Sequence, residues 1–418
     1  MKEEIQEKAN YCLHCVVRPC QMSGCPLANH IPDFIQAVKE DNFEKAYEIL
    51  SETTVLESIC GRICPHEKQC QGKCVRGIKG EPVSIGELEA QVGDYASEHN
   101  LTIPKEAKKE GSIAIVGAGP AGLTCGAFLA KKGYMVTIFE KYTKLGGILN
   151  HGIPEFRLSE DIKEQTIQKI LDLGITVKMG QELGQDFTLA ELENEYDAIF
   201  LGFGANCSSQ MGIEGEDLPE VVGGNELLEK GEYPDYTGKR VAVIGGGNVA
   251  MDTARTIQRK GAKEVTVIYR RAEEQMPAER KEIQDAKQEG VQFLFTTNIL
   301  KILGDGKVEK IECIQTKLVQ KEGETRLSPV NVEGSNYTKE MDYVVMALGS
   351  KPEEAVVTKL GLELDKKNRI VVDEKGRTSK EKVFAGGDIA STKGTIAWAA
   401  RQGRDAAEAI AEYLEEKK

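Results

Sequence analysis

The sequence has no run of about 18 apolar residues, the length that a membrane-spanning helix requires. Its first ten residues are polar (MKEEIQEKAN) and lack the apolar stretch of a signal peptide. Basic residues are also few: 54 Lys and Arg face 67 Asp and Glu, which gives a formal net charge of -13. Such an acidic chain is a poor partner for nucleic acid or for acidic membranes. We therefore expect a soluble, cytoplasmic protein that binds neither.

Internal repetition is absent as well. No unit of about 20 to 50 residues recurs along the chain, which excludes a solenoid. The 418 residues are too many for one ordinary core, and 40% of them are hydrophobic. We therefore expect two or three packed domains.

Cysteine, in contrast, is abundant and unevenly placed. The chain has 11 cysteines, and eight of them precede residue 75. These eight form two groups: Cys12, Cys15, Cys20 and Cys25, then Cys60, Cys64, Cys70 and Cys74. In a long cytosolic chain, clustered cysteines more often bind metal than form disulfides. We predict a small two-helix module around them, with one helical stretch over residues 31–50.

Three interpretations of these cysteines compete. Zinc usually takes two separated C-x2-C pairs, and only Cys12 and Cys15 have that spacing. Disulfides conflict with a reducing compartment. Iron–sulfur clusters take four thiolates each, so eight cysteines could supply two clusters. Proline follows cysteine twice, at Pro26 and Pro65, as in ferredoxin-type runs, and iron–sulfur binding is the interpretation that we favour.

A dinucleotide-binding signature follows a charged linker over residues 99–111. A strand over residues 112–116 leads into G-x-G-x-x-G, a small-residue helix and a second strand that ends in an acid. The glycines allow a tight turn, approach of the backbone to a pyrophosphate, and close helix–strand packing. The helix N-terminus faces the phosphates, and the acid is expected to hold a ribose hydroxyl. The predicted binding residues are Gly117, Gly119, Pro120, Ala121, Gly122 and Glu140.

Two further glycine-rich stretches indicate that this dinucleotide is a flavin. Gly146 and Gly147 can run close against a flavin or its ribityl chain. Gly387 and Asp388 follow a late strand, and the acid is placed to reach the ribityl or phosphate region. We therefore predict that FAD binds here.

A second signature begins at residue 239. Its glycine turn has the form G-x-G-x-x-A, and the predicted binding residues are Gly245, Gly247, Asn248, Val249 and Ala250. Arg270 and Arg271 stand where the first unit has its acid. An arginine pairs with a 2′-phosphate, whereas an acid pairs with a ribose diol. We therefore predict NADPH at this site, and the alternative is a solvated basic pair.

The predicted fold class is α/β, with two Rossmann-like dinucleotide-binding domains, one inserted in the other, behind a small α-helical iron–sulfur domain. We expect the helical domain over residues 1–110. The first part of the FAD domain follows over residues 111–236, and the NADPH domain over residues 237–345. The second part of the FAD domain occupies residues 346–418.

Several of these motifs together resemble one family. The stretches GAGPAGL, GIPEFRL, GGGNVAMDTAR with YRR, and AGGD are similar to the small (β) subunits of NADPH-dependent glutamate synthase, and the N-terminal cysteines match too. The same module occurs in the flavin half of dihydropyrimidine dehydrogenase and in the large subunit of a bifurcating NADH-dependent ferredoxin:NADP oxidoreductase. The resemblance implies two 4Fe–4S clusters, one FAD domain and one NAD(P)H domain.

The resemblance also implies a crossed ligand pattern. One cluster would be held by Cys12, Cys15, Cys20 and Cys74. Three of the four ligands of the other cluster would be Cys25, Cys64 and Cys70. Its fourth ligand varies among relatives, and the matching position here is Glu89, with Cys60 as the competing residue. An oxygen ligand would alter the potential of that cluster.

The function implied is that of an electron-input subunit. NADPH would give hydride to the flavin, and electrons would leave one at a time through the clusters. The partner would be an FMN-containing subunit of glutamate synthase or dihydropyrimidine dehydrogenase type, or a ferredoxin. The sequence contains neither a glutaminase nor an FMN domain, so we do not expect it to form glutamate alone. We assign no catalytic residue, because the hydride step needs no acid or base.

Two rival functions remain to be weighed. A thioredoxin-reductase-type enzyme needs C-x-x-C in its nicotinamide domain, but Cys313 is the only cysteine between Lys239 and Leu348. A zinc-stapled interaction protein that senses redox state is the other rival. It would bind zinc and would not turn over NADPH.

Overall fold

The computed structural model describes residues 2–320 and 327–417. Internal contacts divide the chain into two compact units, residues 1–205 with 352–418 and residues 206–351. One unit is therefore inserted in the sequence of the other, as predicted. Over the described ranges, no helix is both long enough and apolar enough to cross a bilayer.

The secondary structure alternates strands and helices after a purely helical start. The α-helices are Lys2–Asn10 (α1), Ile31–Lys39 (α2), Phe43–Ser51 (α3), Glu57–Ile63 (α4), Ile85–Glu98 (α5), Pro120–Lys131 (α6), Ile148–His151 (α7), Glu160–Leu171 (α8), Leu189–Glu195 (α9), Gly224–Lys230 (α10), Asn248–Arg259 (α11), Arg280–Gln288 (α12), Glu354–Val357 (α13) and Ile396–Glu416 (α14). The strands are Ser112–Val116 (β1), Met135–Glu140 (β2), Thr176–Met179 (β3), Ala198–Leu201 (β4), Cys207–Ser208 (β5), Val221–Gly223 (β6), Arg240–Ile244 (β7), Glu264–Ile268 (β8), Gln292–Leu294 (β9), Thr297–Leu303 (β10), Lys310–Val319 (β11), Ser328–Asn331 (β12), Tyr337–Glu340 (β13), Tyr343–Met346 (β14), Ser350–Lys351 (β15) and Val383–Ala385 (β16).

The helical region before β1 differs from the prediction in two respects. Its described residues form five α-helices, α1 to α5, where a two-helix module was expected. The single helix expected over residues 31–50 is two helices, α2 and α3. Asp41 adopts a left-handed conformation with φ +57°, which interrupts the helix. The side chain of Asn42 then accepts a hydrogen bond of 3.0 Å from the backbone N of Lys45 and caps α3.

The first unit is built on a parallel sheet in the order β16-β4-β1-β2-β3. Its central strands β1 and β4 are predominantly apolar, and Ile113, Ile115 and Phe200 are fully buried. Helix α14 packs closely on α6, because Gly403 has no side chain: an added Cβ would stand 2.2 Å from the carbonyl oxygen of Ala121. The carboxyl ends of β1, β2 and β16 meet at one edge of the sheet, which brings the loops after them together.

The second unit has a parallel sheet in the order β6-β14-β7-β8-β9. It also carries an antiparallel sheet in which β11 pairs with β10, β12 and β13. A turn at residues 305–306 connects β10 to β11, and Gly306 has φ +70°. A short antiparallel pair, β5 with β15, lies at the ends of the unit. The predicted fold class is confirmed, whereas the finer domain boundaries stay predictions.

Candidate functional site

The first glycine turn joins β1 to α6. Gly117 has φ +96°, a conformation that disfavours any side chain. At Gly122 an added Cβ would stand 1.9 Å from the carbonyl oxygen of Gly117, so helix and strand could not pack this closely with another residue. Gly119 precedes α6, which begins at Pro120, and an added Cβ there would meet only Gly147, at 3.9 Å. The turn therefore leaves open space before a helix N-terminus, where an anion is stabilised.

Glu140 ends β2 beside this turn. Its carboxylate oxygens accept hydrogen bonds from the backbone N of Ala118 (2.7 Å) and of Tyr142 (3.0 Å). Burial raises the pKa of Glu140, although the bond from Ala118 opposes the rise. The hydroxyl of Tyr142 is buried without a hydrogen-bond partner among the described residues. An acid is thus bonded to the glycine turn, and a buried, unsatisfied hydroxyl belongs to the residue two positions after it.

The second glycine stretch lies against the same turn. The backbone N of Gly146 donates a hydrogen bond of 2.9 Å to the carbonyl oxygen of Ala118. Gly147 has φ +52°, and an added Cβ would stand 2.8 Å from the Cα of Gly119. The structure therefore brings these two predicted stretches together.

The third stretch approaches α6 from β16. At Gly387, which has φ +77°, an added Cβ would stand 3.0 Å from the Cβ of Ala121. The backbone N of Gly387 donates a hydrogen bond of 2.9 Å to Oε1 of Gln402. Burial raises the pKa of Asp388, and the charge of Arg369 opposes the rise. Gln402 and Arg369 were missed from the sequence, because neither belongs to a motif.

Two observations in this structure indicate that these residues fit a flavin dinucleotide. The first is a cradle of glycine backbone that side chains would fill, formed where the loops after β1, β2 and β16 converge. The second is the pair of buried groups without partners in the described chain: the Tyr142 hydroxyl, and Nε and Nη1 of Arg369. Buried polar groups of this kind are usually satisfied by a bound molecule or by water.

The second glycine turn joins β7 to α11 in the inserted unit. Gly245 has φ +145°, and an added Cβ would stand 2.1 Å from the carbonyl oxygen of Ala347. Gly247 immediately precedes α11. The remaining predicted residues form the first turn of that helix: Asn248, Val249 and Ala250. This turn therefore also presents a helix N-terminus.

The two arginines lie just beyond the end of β8. The backbone N of Gly245 donates a hydrogen bond of 3.1 Å to the carbonyl oxygen of Ile268, so β8 ends beside the glycine turn. The side chain of Arg270 is exposed. Nε of Arg271 donates a hydrogen bond of 3.1 Å to the carbonyl oxygen of Leu327. Arg270 is thus the more available of the two guanidiniums for a phosphate.

The first cysteine set lines one cavity in the helical region. Its members are the four that the family resemblance implies: Cys12, Cys15, Cys20 and Cys74. Burial raises the pKa of Cys20 to about 11, so this thiol stays protonated unless a metal displaces the proton. In residues 2–320 and 327–417, no three His, Cys, Asp or Glu side chains are close enough to hold a single metal ion. Thiols placed around a cavity suit a cluster, in which each thiolate binds a different iron atom.

The second set is more deeply buried. Cys64 and Cys70 are 6% and 5% exposed, and Glu89 is 5% exposed. Burial raises the pKa of Cys25 to about 12, and the neighbouring Glu89 raises it further. Burial is the main cause of the raised pKa of Cys70, and the Glu89 carboxylate raises that pKa further. The structure therefore brings Cys25, Cys64, Cys70 and Glu89 together.

The choice between Glu89 and Cys60 stays open. Nδ2 of Asn29 donates a hydrogen bond of 2.9 Å to Oε1 of Glu89, which opposes the effect of burial and of Glu57 on its pKa. The net result raises the pKa of Glu89 to about 8. Cys60 is also close, since it shares a hydrogen bond with Cys64. A buried carboxyl with a raised pKa often marks a functional position.

Helix α14, which packs on α6, also contacts segments next to the second cysteine set. Nη1 of Arg401 donates a hydrogen bond of 3.0 Å to the carbonyl oxygen of Pro26, next to Cys25. Nε2 of Gln69 lies 3.5 Å from Oγ1 of Thr395, the residue that caps α14. These links were not predicted, because no local pattern signals them.

Comparisons with known proteins match two stretches of the chain to known families. Residues 111–406 match the pyridine nucleotide-disulphide oxidoreductase family, and residues 1–101 match the family described as dihydropyrimidine dehydrogenase domain II, 4Fe-4S cluster. The glutamate synthase [NADPH] small chain of Halomonas elongata is 36% identical, over 99% of this chain and 91% of that protein. The NADP(+)-dependent formate dehydrogenase subunit beta of Moorella thermoacetica is 37% identical, over 96% of this chain and 60% of that protein.

The fold has a solved counterpart as well. The structure of Mycobacterium tuberculosis FprA in complex with NADPH is similar with a TM-score of 0.65. It is 22% identical, and the match covers 74% of this chain and 85% of that one. This likeness supports the two-unit fold.

Proposed function

Since this chain belongs to the pyridine nucleotide-disulphide oxidoreductases and, within them, to the family of glutamate synthase small chains, we propose that it is the electron-input subunit of a larger enzyme. It oxidises NADPH at the glycine turn of the inserted unit and holds FAD at the turn of the first unit. It carries two 4Fe–4S clusters on its helical region and delivers electrons to a partner protein.

The observation that carries this proposal is the link through α14. The helix follows the Gly387–Asp388 stretch, and its residues Thr395 and Arg401 contact the segments that carry Cys70 and Cys25. Residues proposed to hold a flavin and residues proposed to hold a cluster therefore belong to one packed body. A flavin that takes two electrons and clusters that carry one are useful together when electrons must leave singly.

The residues of the chain have distinct tasks in this proposal. The helix N-termini after Gly119 and Gly247 stabilise the phosphates of FAD and NADPH. Arg270, with Arg271, selects the 2′-phosphate of NADPH. The more deeply buried second set excludes water from its cluster, with Glu89 as the fourth ligand. We place the protein in the cytoplasm, because thiols that bind clusters need a reducing compartment.

The partner is also a proposal. We favour an FMN-containing subunit of glutamate synthase type, because the relatives of nearly the same length are glutamate synthase small chains. The match of residues 1–101 to a dihydropyrimidine dehydrogenase domain favours a second candidate, the small subunit of an NAD(P)-dependent dihydropyrimidine dehydrogenase. A ferredoxin, as in a ferredoxin:NADP oxidoreductase, is the remaining candidate.

Anaerobic purification tests the proposal directly. We expect about eight iron atoms, about eight acid-labile sulfides and one FAD per chain, counted from two clusters and one flavin site. The protein should reduce ferricyanide with NADPH, yet neither form glutamate from 2-oxoglutarate nor reduce pyrimidines alone. Bound zinc without labile sulfide, or no NADPH-dependent dye reduction, would contradict the proposal.

A further inference from the structure

Large apolar side chains project into solvent around the first cysteine set. We call them the apolar patch: Leu13 (51% exposed), Val16 (96%), Val17 (81%), Met22 (71%), Val75 (37%) and Ile78 (77%). Leu13 and Val75 also line the cavity that contains the four thiols of this set. Single exposed apolar residues are normal on a protein surface, but a group of them marks an interaction site.

Contacts with α2 fix the loop that exposes Val16 and Val17. His14 and Arg18, on either side of the two valines, have φ of +48° and +52°, which few non-glycine residues adopt. Nη2 of Arg18 donates a hydrogen bond of 2.9 Å to Asp33, and Nδ1 of His14 lies 3.1 Å from the carbonyl oxygen of Pro32. The valines are thus exposed by a fixed, strained backbone, a feature that clusters at functional sites.

The two segments that carry the patch form one surface. Nε of Arg76 donates a hydrogen bond of 2.8 Å to the carbonyl oxygen of Tyr11, and its guanidinium lies 4.2 Å from the centre of the Tyr11 ring. Gly24 lies so close to Cys70 that an added Cβ would stand 2.9 Å from the Cα of Cys70. Residues 11–24 and 70–78 are therefore fixed relative to each other.

The charge around the patch is opposite to that of the whole chain. Residues 68–79 contain four basic residues and no acid, and residues 8–32 contain no acid at all. Lys73 and Lys79 are exposed, and in sequence they stand on either side of the patch residues Val75 and Ile78. The chain as a whole has a formal net charge of -13. A local basic rim attracts an acidic partner protein. A second copy of this acidic chain would instead be repelled by most of the surface of the first copy.

We propose that the apolar patch and its basic rim are the docking surface for an acidic, one-electron-accepting protein. This inference rests on the proposed electron-input function, and it assigns the exit of electrons to the face beside Cys12, Cys15, Cys20 and Cys74. One NADPH and two oxidised acceptor molecules would give NADP+, one proton and two reduced acceptors. An apolar centre with a charged rim is typical of protein interfaces, in which the rim governs the rate of encounter.

Binding of an acidic plant-type ferredoxin to the intact holoprotein tests the proposal. We expect binding that weakens with added salt. The variants Lys73→Glu with Lys79→Glu, and Val16→Ser with Val17→Ser, should each weaken it by about tenfold or more. The controls are Lys359→Glu with Lys366→Glu and, separately, the exposed Met135→Ser; they should change it by no more than about twofold. Iron and FAD content must match the unaltered protein in every variant.

Different outcomes would contradict the docking surface and the proposed electron-input function. NADPH-driven ferricyanide reduction should be equal in all variants, and its absence in the unaltered protein counts against the proposed function alone. The docking surface is wrong if the unaltered protein does not bind the ferredoxin, or if patch and control variants bind it equally. It is also wrong if sedimentation shows that the valine variants only dissociate a dimer, since the patch would then join two copies of the chain.

Discussion

The guanidinium of Arg404 donates a hydrogen bond of 2.8 Å to the carbonyl oxygen of Leu27. The same Nη1 atom lies 2.9 Å from the carbonyl oxygen of Thr53. Leu27 comes two residues after Cys25, and Thr53 donates a hydrogen bond of 2.8 Å to Asn29, the partner of Glu89. One arginine on α14 therefore joins the segment that follows Cys25 to the segment of Thr53, which contacts the partner of Glu89.

Replacing this arginine should loosen the second cysteine set. Burial lowers the pKa of Arg404, and both of its carbonyl partners would be left without a donor in Arg404→Ala. We expect the variant to lose about 1.5–3 kcal/mol in the free energy of unfolding, the usual cost of a hydrogen bond to a charged group. Denaturant unfolding of the holoprotein measures this, and iron content should fall as well. Glu416→Ala, at the exposed end of the same helix, should change stability by less than about 0.5 kcal/mol.

The fourth ligand of the second cluster can be identified by substitution. If Glu89 binds iron, Glu89→Ala should change the EPR signal of one cluster, because a different ligand alters the charge and symmetry of the iron. Cys60→Ser should leave both signals unchanged and serves as the matched control. The reverse pattern would move the ligand to Cys60.

Selection of NADPH over NADH should depend on the two arginines beyond β8. The double variant Arg270→Ala with Arg271→Ala should raise the KM for NADPH by about ten- to a hundredfold, because a charge-assisted contact contributes about 1.5–3 kcal/mol. The KM for NADH should change little. Steady-state ferricyanide reduction with each cofactor provides the comparison. An unaltered ratio of the two KM values would mean that the two arginines are only solvated surface residues. The single variants should show Arg270 as the larger contributor, since Arg271 is bonded to Leu327.

Sequence reasoning succeeded where the determinants are local. A glycine such as Gly122 is required by a carbonyl only five residues away, so the turn and its helix can be read from a short pattern. The break between α2 and α3 also had a local signal, the capping Asn42, which the continuous apolar pattern on both sides obscured. The contact of Arg404 with Leu27 joins residues 377 positions apart, and no motif contains either of them. Long-range ties of this kind appear only after the chain has folded.

Acid should weaken the inserted unit through Glu289. Burial opposes its ionisation, but hydrogen bonds from Arg259 and Arg255 outweigh that effect and lower its pKa to about 2. A carboxyl whose pKa is lower when folded stabilises the protein above its unfolded pKa of about 4.3, and this contribution is lost as the pH falls towards about 2. Glu289→Gln should therefore lower the denaturation midpoint at pH 7 and have a smaller effect at pH 3. Circular dichroism at both pH values measures the midpoints, with the exposed Glu309→Gln as the control. An equal effect at both pH values would mean that packing, not charge, explains the loss.

Retention of the flavin should depend on Arg369, which no motif identifies. The hydrogen bond of 2.9 Å from the backbone N of Ile370 to the carbonyl oxygen of Ile389 aligns its segment with that of Asp388. Its Nε and Nη1 are buried with no partner in the described chain, and its charge opposes the effect of burial on the pKa of Asp388.

In Arg369→Gln the opposing charge is gone, so the pKa of Asp388 should rise further and more of its carboxyl should be protonated at a given pH. A protonated carboxyl accepts hydrogen bonds from a ribityl hydroxyl less well, and the variant should retain FAD more weakly, by about tenfold. Flavin fluorescence after dilution measures the release, and Arg369→Lys should restore part of the retention because the charge returns. Arg377→Gln removes a more exposed arginine whose guanidinium lies 3.7 Å from the carboxylate of Glu412, and should release no more FAD than the unaltered protein. If both glutamine variants retained FAD equally, Arg369 would contribute to the stability of the fold and not to flavin binding.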